Sequence, residues 1–183
     1  MTELRVLDLC SGLGGASQAF VDAGDTVLRV DNSERCADVP HTQIADVRFF
    51  DPPGEWDVVL AGPPCEQLSD APEAYNGSWK ANGSAPVDLS VHRACFAIAE
   101  LYPRATFILE NVRGAQRWLG PPVCHRGSRY LWGRFHGPLP VIVTHPKYLS
   151  WGNDPDGYWV RSRWPYSLSL AARAEALREQ PSR

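Results

Sequence analysis

The sequence predicts an α/β fold, a mostly parallel sheet with helices on both faces. Three observations carry that prediction. Val58-Val59-Leu60-Ala61 and Thr106-Phe107-Ile108-Leu109 are short, mainly apolar runs, the pattern of strands buried on both faces of a parallel sheet. Arg5–Cys10 and Thr26–Val30 are further strand-like runs with a glycine-rich turn and a helical stretch between them, so βα units follow one another in series. Asp31, Cys65 and Glu110 each stand at or just past the end of such a run, where open α/β sheets bind their ligands.

The 183 residues suffice for one domain with a sizeable core, and a single domain over 1–183 is expected. Hydrophobic residues make up 44% and charged residues 21%, which fits a soluble globular chain. No apolar run approaches the ~20 residues of a membrane span, so no membrane partner is expected. Met1 to Arg5 lead straight into a strand, without the look of a signal peptide. Five cysteines, an odd number without CxxC spacing, argue for a reducing, cytoplasmic setting and against a disulfide framework or a metal site. Charge is split along the chain. Residues 1–110 carry 7 basic and 17 acidic side chains, and residues 111–183 carry 11 and 4. A polyanion would be met mainly by the second part; the alternative is an ordinary solvated Arg-rich surface.

In chain order, Arg5–Cys10 forms the first strand and runs into Ser11-Gly12-Leu13-Gly14-Gly15 and a helix from Ala16 to Asp22. Glycines there let backbone approach a ligand at a helix start, although tight packing alone would also explain them. The strand Thr26–Val30 ends at Asp31, about 20 residues past the glycines, a placement that suits a ribose hydroxyl pair. An Asx turn or cap made by Asp31, Asn32 or Ser33 is the competing reading. Gln43–Val47 reads as a third strand, with Asp46 either an acceptor for the exocyclic amine of a base or a plain turn acid. Asp51-Pro52-Pro53-Gly54 breaks the chain before the strand Val58–Ala61, which Pro63 and Pro64 terminate because they cannot donate ladder hydrogen bonds.

Residues 66–88 hold glycines, prolines, asparagines, Tyr75 and Trp79 without a period of 2 or 3.6. A loop of that length in a compact domain, beside a candidate nucleophile, reads as an active-site lid. Asp88-Leu89-Ser90 opens a helix from Val91 to Leu101 with Cys95, Ile98, Ala99 and Leu101 as its apolar positions, and Pro103 ends it. After Glu110-Asn111-Val112 come a broken stretch from Gln116 to Arg126, a strand around Tyr130–Gly133 flanked by Arg126, Arg129 and Arg134, and a short last strand, Val141–Thr144. Tyr148–Trp164 reads as loop. Pro165-Tyr166-Ser167 starts a terminal helix with Leu168, Ala171, Ala172, Ala174 and Leu177 as apolar positions.

Asp8-Leu9-Cys10-Ser11-Gly12-Leu13-Gly14-Gly15, Gly62-Pro63-Pro64-Cys65 and Glu110-Asn111-Val112, each at a strand end and in that order, make the chain resemble the cytosine-5 DNA methyltransferases. The resemblance runs from about Leu4 to Val112 and resumes at Arg161–Leu168, which looks like that family's closing motif. It implies a Rossmann-like methyltransferase fold, S-adenosyl-L-methionine as methyl donor, DNA as partner and a covalent cysteine adduct. By position it implies Cys65 as nucleophile, Glu110 as the carboxyl group on the cytosine ring, and Arg129 as the arginine on the cytosine carbonyl, with Arg126 as second choice. Asp8, Gly12 and Gly14 would lie by the methionine part of the cofactor, Asp31 by the ribose hydroxyls and Asp46 by the adenine amine. Leu9, Cys10, Leu13, Asn32, Val47, Pro63, Tyr166 and Ser167 complete the implied cofactor site, and Ser69 matches a serine four residues after the family's cysteine. Two departures stand out. Cys10 occupies the place of a phenylalanine. Only about 30 residues separate Phe135 from the closing motif, where typical members hold a target-recognition domain, so 136–164 resembles the short remnant of a phage-like member.

The chemistry needs these residue types. Cytosine C5 becomes nucleophilic only after a thiolate adds at C6, which is covalent catalysis by cysteine. Negative charge then builds toward N3 and O2, where a protonated carboxyl group and an arginine can meet it. A base inside a duplex hides C6, so the substrate is duplex DNA with a flipped cytosine, or single-stranded DNA. Three other readings compete. A zinc deaminase would need H-x-E and P-C-x-x-C, and Cys65 is followed by Glu66-Gln67-Leu68 instead. RNA or a free cytosine nucleotide could replace DNA. A non-catalytic cofactor-binding subunit could serve a protein partner that supplies recognition.

Overall fold

Strand alternation decides which helix covers which face, and here it sorts the core into two layers. The computed structural model describes residues 3–69, 87–137, 139 and 164–179. Strands β1 (Arg5–Leu9), β2 (Thr26–Asp31), β3 (Thr42–Ile44), β4 (Val58–Ala61), β5 (Thr106–Asn111), β6 (Cys124–Arg126) and β7 (Arg129–Arg134) form one sheet in the order β3-β2-β1-β4-β5-β7-β6. The first five are parallel to one another, while β7 runs antiparallel to both β5 and β6. Val6, Val58, Leu60 and Ile108 face one side, packed with Phe20 of α1 (Gln18–Asp22) and with Leu168, Ala171, Ala172 and Ala176 of α4 (Tyr166–Glu179). Leu7, Leu9, Val59, Ala61, Phe107 and Leu109 face the other, against Cys95, Ile98 and Ala99 of α2 (Ser90–Leu101). All four residues of β4 are buried because helices cover both faces, which is why that strand reads as an unbroken apolar run.

The strand order reverses direction between β1 and β4, the switch point at whose carboxyl edge such sheets open a crevice. Backbone contacts pull the two loops at that edge together: Gly62 N–H donates to Leu9 O at 3.0 Å, and Ser11 N–H to Val30 O at 3.1 Å. At the far side of the sheet, Gly133 (φ +131°) passes so close to β5 that an added Cβ would lie 2.0 Å from Phe107 O, so only glycine lets β7 dock there.

Several elements differ from the sequence expectation. The third strand is Thr42–Ile44 rather than Gln43–Val47, because Asp46 caps a 3-10 turn over Val47–Phe49 by accepting from Arg48 N–H. The first helix begins at Gln18, after turns, rather than at Ala16. Strand β5 extends through Glu110 and Asn111. A three-residue strand, Cys124–Arg126, and a one-turn helix α3 (Gln116–Leu119) stand where a broken stretch was read. Leu101 is 61% exposed, and Ala174 and Leu177 also face solvent. In their place α2 buries His92, and α4 buries Ser169 and Glu175. Ser169 earns its burial through hydrogen bonds: its Oγ donates to Ala16 O at 2.6 Å and accepts from Ala19 N–H at 3.0 Å, tying α4 to the start of α1. Tyr75, Trp79, the strand expected at Val141–Thr144 and most of the loops 66–88 and 136–164 lie outside the described residues. Among the described residues no helix is long and apolar enough to cross a membrane.

Candidate active site

The carboxyl edge of β1, β2, β4 and β5 opens into a cavity of ≈ 470 Å³. Its walls include Cys65, Glu110 and Arg129 together with Asp8, Cys10, Gly12, Leu13, Asp31, Asn32, Asp46, Val47 and Pro63. Four residues expected at the cofactor site are not in its walls. Leu9 is fully buried in the core. Gly14 (φ +72°) packs under the Arg29 guanidinium, where a Cβ would lie 2.4 Å from Cζ. Tyr166 is exposed and Ser167 half-buried on the first turn of α4. Trp164, two residues earlier, lines the cavity instead. Arg126 lies outside it as well, donating to Leu139 O and His125 O, which leaves Arg129 as the arginine at the site.

Cys65 follows Gly62-Pro63-Pro64 at the end of β4 and begins a turn in which Leu68 N–H donates to Cys65 O at 3.0 Å. Leu68 is buried in the core and anchors that turn. Gln67 Oε1 accepts from Asp88 N–H at 2.8 Å, closing the long loop at its base. The approach to Cys65 is fixed from β5: Asn111 Nδ2 donates to Pro63 O at 3.0 Å and lies 3.2 Å from His92 Nε2. Burial holds the His92 imidazole below its ordinary range, so it is neutral and Nε2 accepts from the amide.

Glu110 and Arg129 form a buried ion pair with 3.2 Å between Arg129 Nη1 and Glu110 Oε2. The pairing of β5 with β7 delivers it, since Glu110 sits opposite Leu131 and Arg129 enters two residues earlier on β7. Burial pushes the Glu110 carboxyl up, while Arg129 and a hydrogen bond from the Trp164 indole pull it down. The upward effect prevails, so the carboxyl group takes a proton more readily than a free one. Burial and the neighbouring Glu66 and Glu110 push the Cys65 thiol up to about 12, against a smaller downward pull from Arg129. The thiol is therefore neutral at rest, and its proton must move as the sulfur reacts.

Asp8, also in the cavity wall, is fully buried, and burial raises its carboxyl to about 6. Its Oδ2 accepts from Ser17 Oγ at 2.6 Å, and Ser17 Oγ accepts from Arg29 Nε at 2.9 Å. Asp8 Oδ1 and Ser11 Oγ, both buried in the wall, have no hydrogen-bond partner among the described residues. An orphaned buried carboxylate oxygen invites a cationic donor. Asp31 bridges the glycine turn and its own turn, Oδ2 accepting from Gly12 N–H and Oδ1 from Ser33 N–H, both at 2.9 Å. It is thus an Asx turn, and each oxygen retains a lone pair for a hydroxyl group. The Arg48 guanidinium and backbone N–H hold the Asp46 carboxyl down to about 2, so the turn-acid reading is realised in an acid that also borders the cavity. Cys10 takes a left-handed backbone (φ 54°), and its thiol, hydrogen-bonded to Cys95 and buried, is pushed well above its usual range.

Trp164, Asn111 and His92 were not singled out by role in the sequence. Asn111 stood in a recognised tripeptide and Trp164 in the closing stretch. His92 is one polar residue on a helix, and nothing in its spacing marks it.

The donor set fits S-adenosyl-L-methionine: an orphaned acid for an ammonium group, glycine backbone at a strand end, and a second-strand acid for ribose. The family model for C-5 cytosine-specific DNA methylase matches residues 4–117. No curated protein matches the chain. Among solved structures it is similar to the methyltransferase Dnmt2 of S. pombe (16% identity, TM-score 0.41, covering 65% of this chain and 37% of that one). It is also similar to the magnesium protoporphyrin IX methyltransferase of Synechocystis PCC 6803 (19%, 0.39, 62% and 51%) and the glycopeptide N-methyltransferase MtfA (18%, 0.39, 60% and 47%). The chain spans about half the length of those structures or less. With a Rossmann-like sheet and the matching motifs at its carboxyl edge, the chain belongs to the C-5 cytosine-specific DNA methylase family and, with it, to the S-adenosyl-L-methionine-dependent methyltransferases.

Proposed function

We propose that the chain methylates C5 of cytosine in DNA through a covalent adduct between Cys65 and C6. The observation that carries this reading is the convergence of Cys65, Glu110 and Arg129 on one cavity whose wall also holds the Asp8 oxygen that has no partner among the described residues. When bound, S-adenosyl-L-methionine supplies the electrophilic methyl group. Asp8 and the glycine turn would hold its methionine end, and Asp31 its ribose.

The resting thiol is protonated, so attack on C6 proceeds with transfer of that proton to the adjacent Glu110 carboxylate. Glu110 passes a proton to N3 as the C6–S bond forms, which keeps the ring neutral. Arg129 faces the carbonyl O2, where charge also develops. C5 then carries the electron pair that bonds to the methyl carbon. N3 then returns its proton to Glu110, and a water molecule takes the C5 proton. The C5–H electron pair forms the C5–C6 double bond as the C6–S bond breaks, and the departing sulfur recovers its proton from Glu110. The burial that raises the thiol also raises the Glu110 carboxyl, which therefore takes up a proton more readily than a free carboxylate.

The test is transfer of a labelled methyl group to cytosine-containing DNA, paired with trapping on 5-fluorocytosine DNA. Fluorine at C5 cannot leave as a proton would, so the adduct persists. The wild-type chain is expected to form a denaturation-resistant complex with that DNA, and Cys65→Ala to form none. Label appearing only in a mononucleotide, or a Cys65→Ala protein as active as wild type, would overturn the proposal.

A further inference from the structure

Among the described residues Arg29 is the largest side chain that is fully buried, and it carries a charge. A guanidinium away from water is costly unless its donors and its charge are both met. Nε donates to Ser17 Oγ at 2.9 Å, Nη1 to Pro40 O at 2.9 Å, and Nη2 to Gly14 O at 3.0 Å and Gln18 Oε1 at 3.2 Å. Those four acceptors are neutral, and the charge is felt by an acid on the next strand. Asp8 lies opposite Arg29 in the register of β1 and β2, so both side chains leave the sheet on one face. Ser17 Oγ stands between them and donates to Asp8 Oδ2 at 2.6 Å. Guanidinium, hydroxyl and carboxylate thus form one buried row. Ser169 of α4 fixes the middle of it, bonding Ala16 O and Ala19 N–H on either side of Ser17. Arg29 and Ser17 stand behind the cavity wall, whereas Asp8 is part of it. Asp31 from the end of β2 and Cys10 from the turn after β1 are the further titratable groups coupled to Asp8, and β4 meets it with Leu60.

We infer that Ser17 and Arg29 are positioning residues for the cofactor: the guanidinium, acting through the Ser17 hydroxyl, clamps one oxygen of Asp8 and presents the other to the cofactor's ammonium group. The inference rests on the proposed place of the methionine end beside Asp8. A carboxylate in a dry wall can fail in two ways, by taking a proton or by turning its charge elsewhere. The row opposes both. Burial and Asp31 push the Asp8 carboxyl up, and the Ser17 hydroxyl and the Arg29 charge pull it down. With Oδ2 held at 2.6 Å, the direction of Oδ1 is set before the ligand arrives, which spares the ordering cost of binding. A direct bidentate pair with Arg29 would occupy both oxygens. An interposed hydroxyl transmits the charge and leaves Oδ1, which has no partner among the described residues, for a ligand. An ionised Asp8 attracts the ammonium and repels the carboxylate of the same amino-acid end, so the row also sets which way round that end lies.

The experiment reads Asp8 directly. Its carboxyl is titrated by carbon-13 NMR in the protein without cofactor, and the wild-type group is expected to titrate at about 6. In Ser17→Ala the midpoint should rise by about one pH unit or more, the worth of one hydrogen bond to a charged group. Arg29→Gln, which removes the charge, should move it the same way. Calorimetry with S-adenosyl-L-methionine between about pH 5 and 7.5, where an α-amino group stays protonated, should follow the titration. At pH 6.5 a one-unit rise makes Ser17→Ala bind about threefold more weakly than wild type. 5′-Methylthioadenosine, which has no ammonium group, should bind wild type and Ser17→Ala alike across that range, and its binding shows that the variant pocket is folded. The inference is overturned if Asp8 titrates no higher in Ser17→Ala and Arg29→Gln than in wild type, or if 5′-methylthioadenosine loses as much affinity as the cofactor does. Wild-type cofactor affinity that ignores pH sinks the ammonium site at Asp8 and this inference with it, whereas pH-linked affinity with unmoved variants sinks the relay alone. Cytosine methylation enters none of these measurements, so its failure is told apart from theirs.

Discussion

The parallel part of the sheet, β3-β2-β1-β4, and the antiparallel edge, β5-β7-β6, are built on different rules. In the parallel part each candidate residue sits near or just past the end of its own strand, and local sequence sets its place: Asp8 within β1 and Gly12 after it, Asp31 at the end of β2, Cys65 after β4. At the antiparallel edge the functional pair is assembled across strands. Glu110 lies inside β5, and its partner Arg129 arrives on β7 some 19 residues later, so it exists only when the ladder between them is in register. Residues 1–110 carry 7 basic and 17 acidic side chains and residues 111–183 carry 11 and 4, so on the proposed reading the first part suits a cationic cofactor and the second a polyanion. A one-residue slip of β7 would turn Arg129 to the other face and leave Glu110 buried without its counter-charge.

If the halves divide the work this way, variants at one should leave the other's ligand untouched. Glu110→Gln is expected to lower the rate of methyl transfer by about 10²–10³ while cofactor affinity, measured by calorimetry, stays at the wild-type value. An equal loss of cofactor binding would erase the division. Asp8→Asn should weaken cofactor binding about tenfold or more, the order of one lost charge-assisted contact, with DNA anisotropy unchanged. The wild-type protein should show the same loss as a function of pH. Because the Asp8 carboxyl titrates at about 6, it is ionised above that value and neutral below it. Cofactor affinity should therefore fall as pH drops through 6, and Asp8→Asn should remove that dependence.

The smallest expected effect is at the contact between the halves. Trp164→Phe keeps an aromatic wall but deletes the indole N–H that lowers the Glu110 carboxyl. Glu110 should then take its proton at higher pH, moving the corresponding limb of the pH–rate profile upward, with a loss of about fivefold in rate at most, the worth of one hydrogen bond. A parallel drop at all pH values would mark Trp164 as packing only.

The same contrast explains what the sequence made legible. The placement of Cys65 and Gly12 at the cavity was readable because strand, stop and candidate residue are contiguous, so local chemistry and global place agree. The ion pair was half readable: Glu110 announced itself, but Arg129 could be weighed against Arg126 only by resemblance, since nothing local says which arginine a ladder will carry inward. The strand Cys124–Arg126 escaped notice because three half-exposed polar residues at a sheet edge carry no period. The apolar face of α4 was misdrawn at Ala174 and Leu177 because a buried glutamate, Glu175, takes a core position by accepting from His136 N–H and pairing with Arg178. Burial by hydrogen bonding follows no hydrophobic rhythm. The capping role of Asp46 depended on Arg48 two residues on, a local signal that was available and was read as one of two options.

The amide of Asn111 has a consequence for how this scaffold tolerates change. It grips the carbonyl of Pro63 from the neighbouring strand, ahead of the sulfur-bearing residue, and braces itself on a helix. The sulfur's coordinates are thereby inherited from the sheet. On the proposed reading, changes of length or sequence within 70–86 should leave Cys65 where this brace holds it.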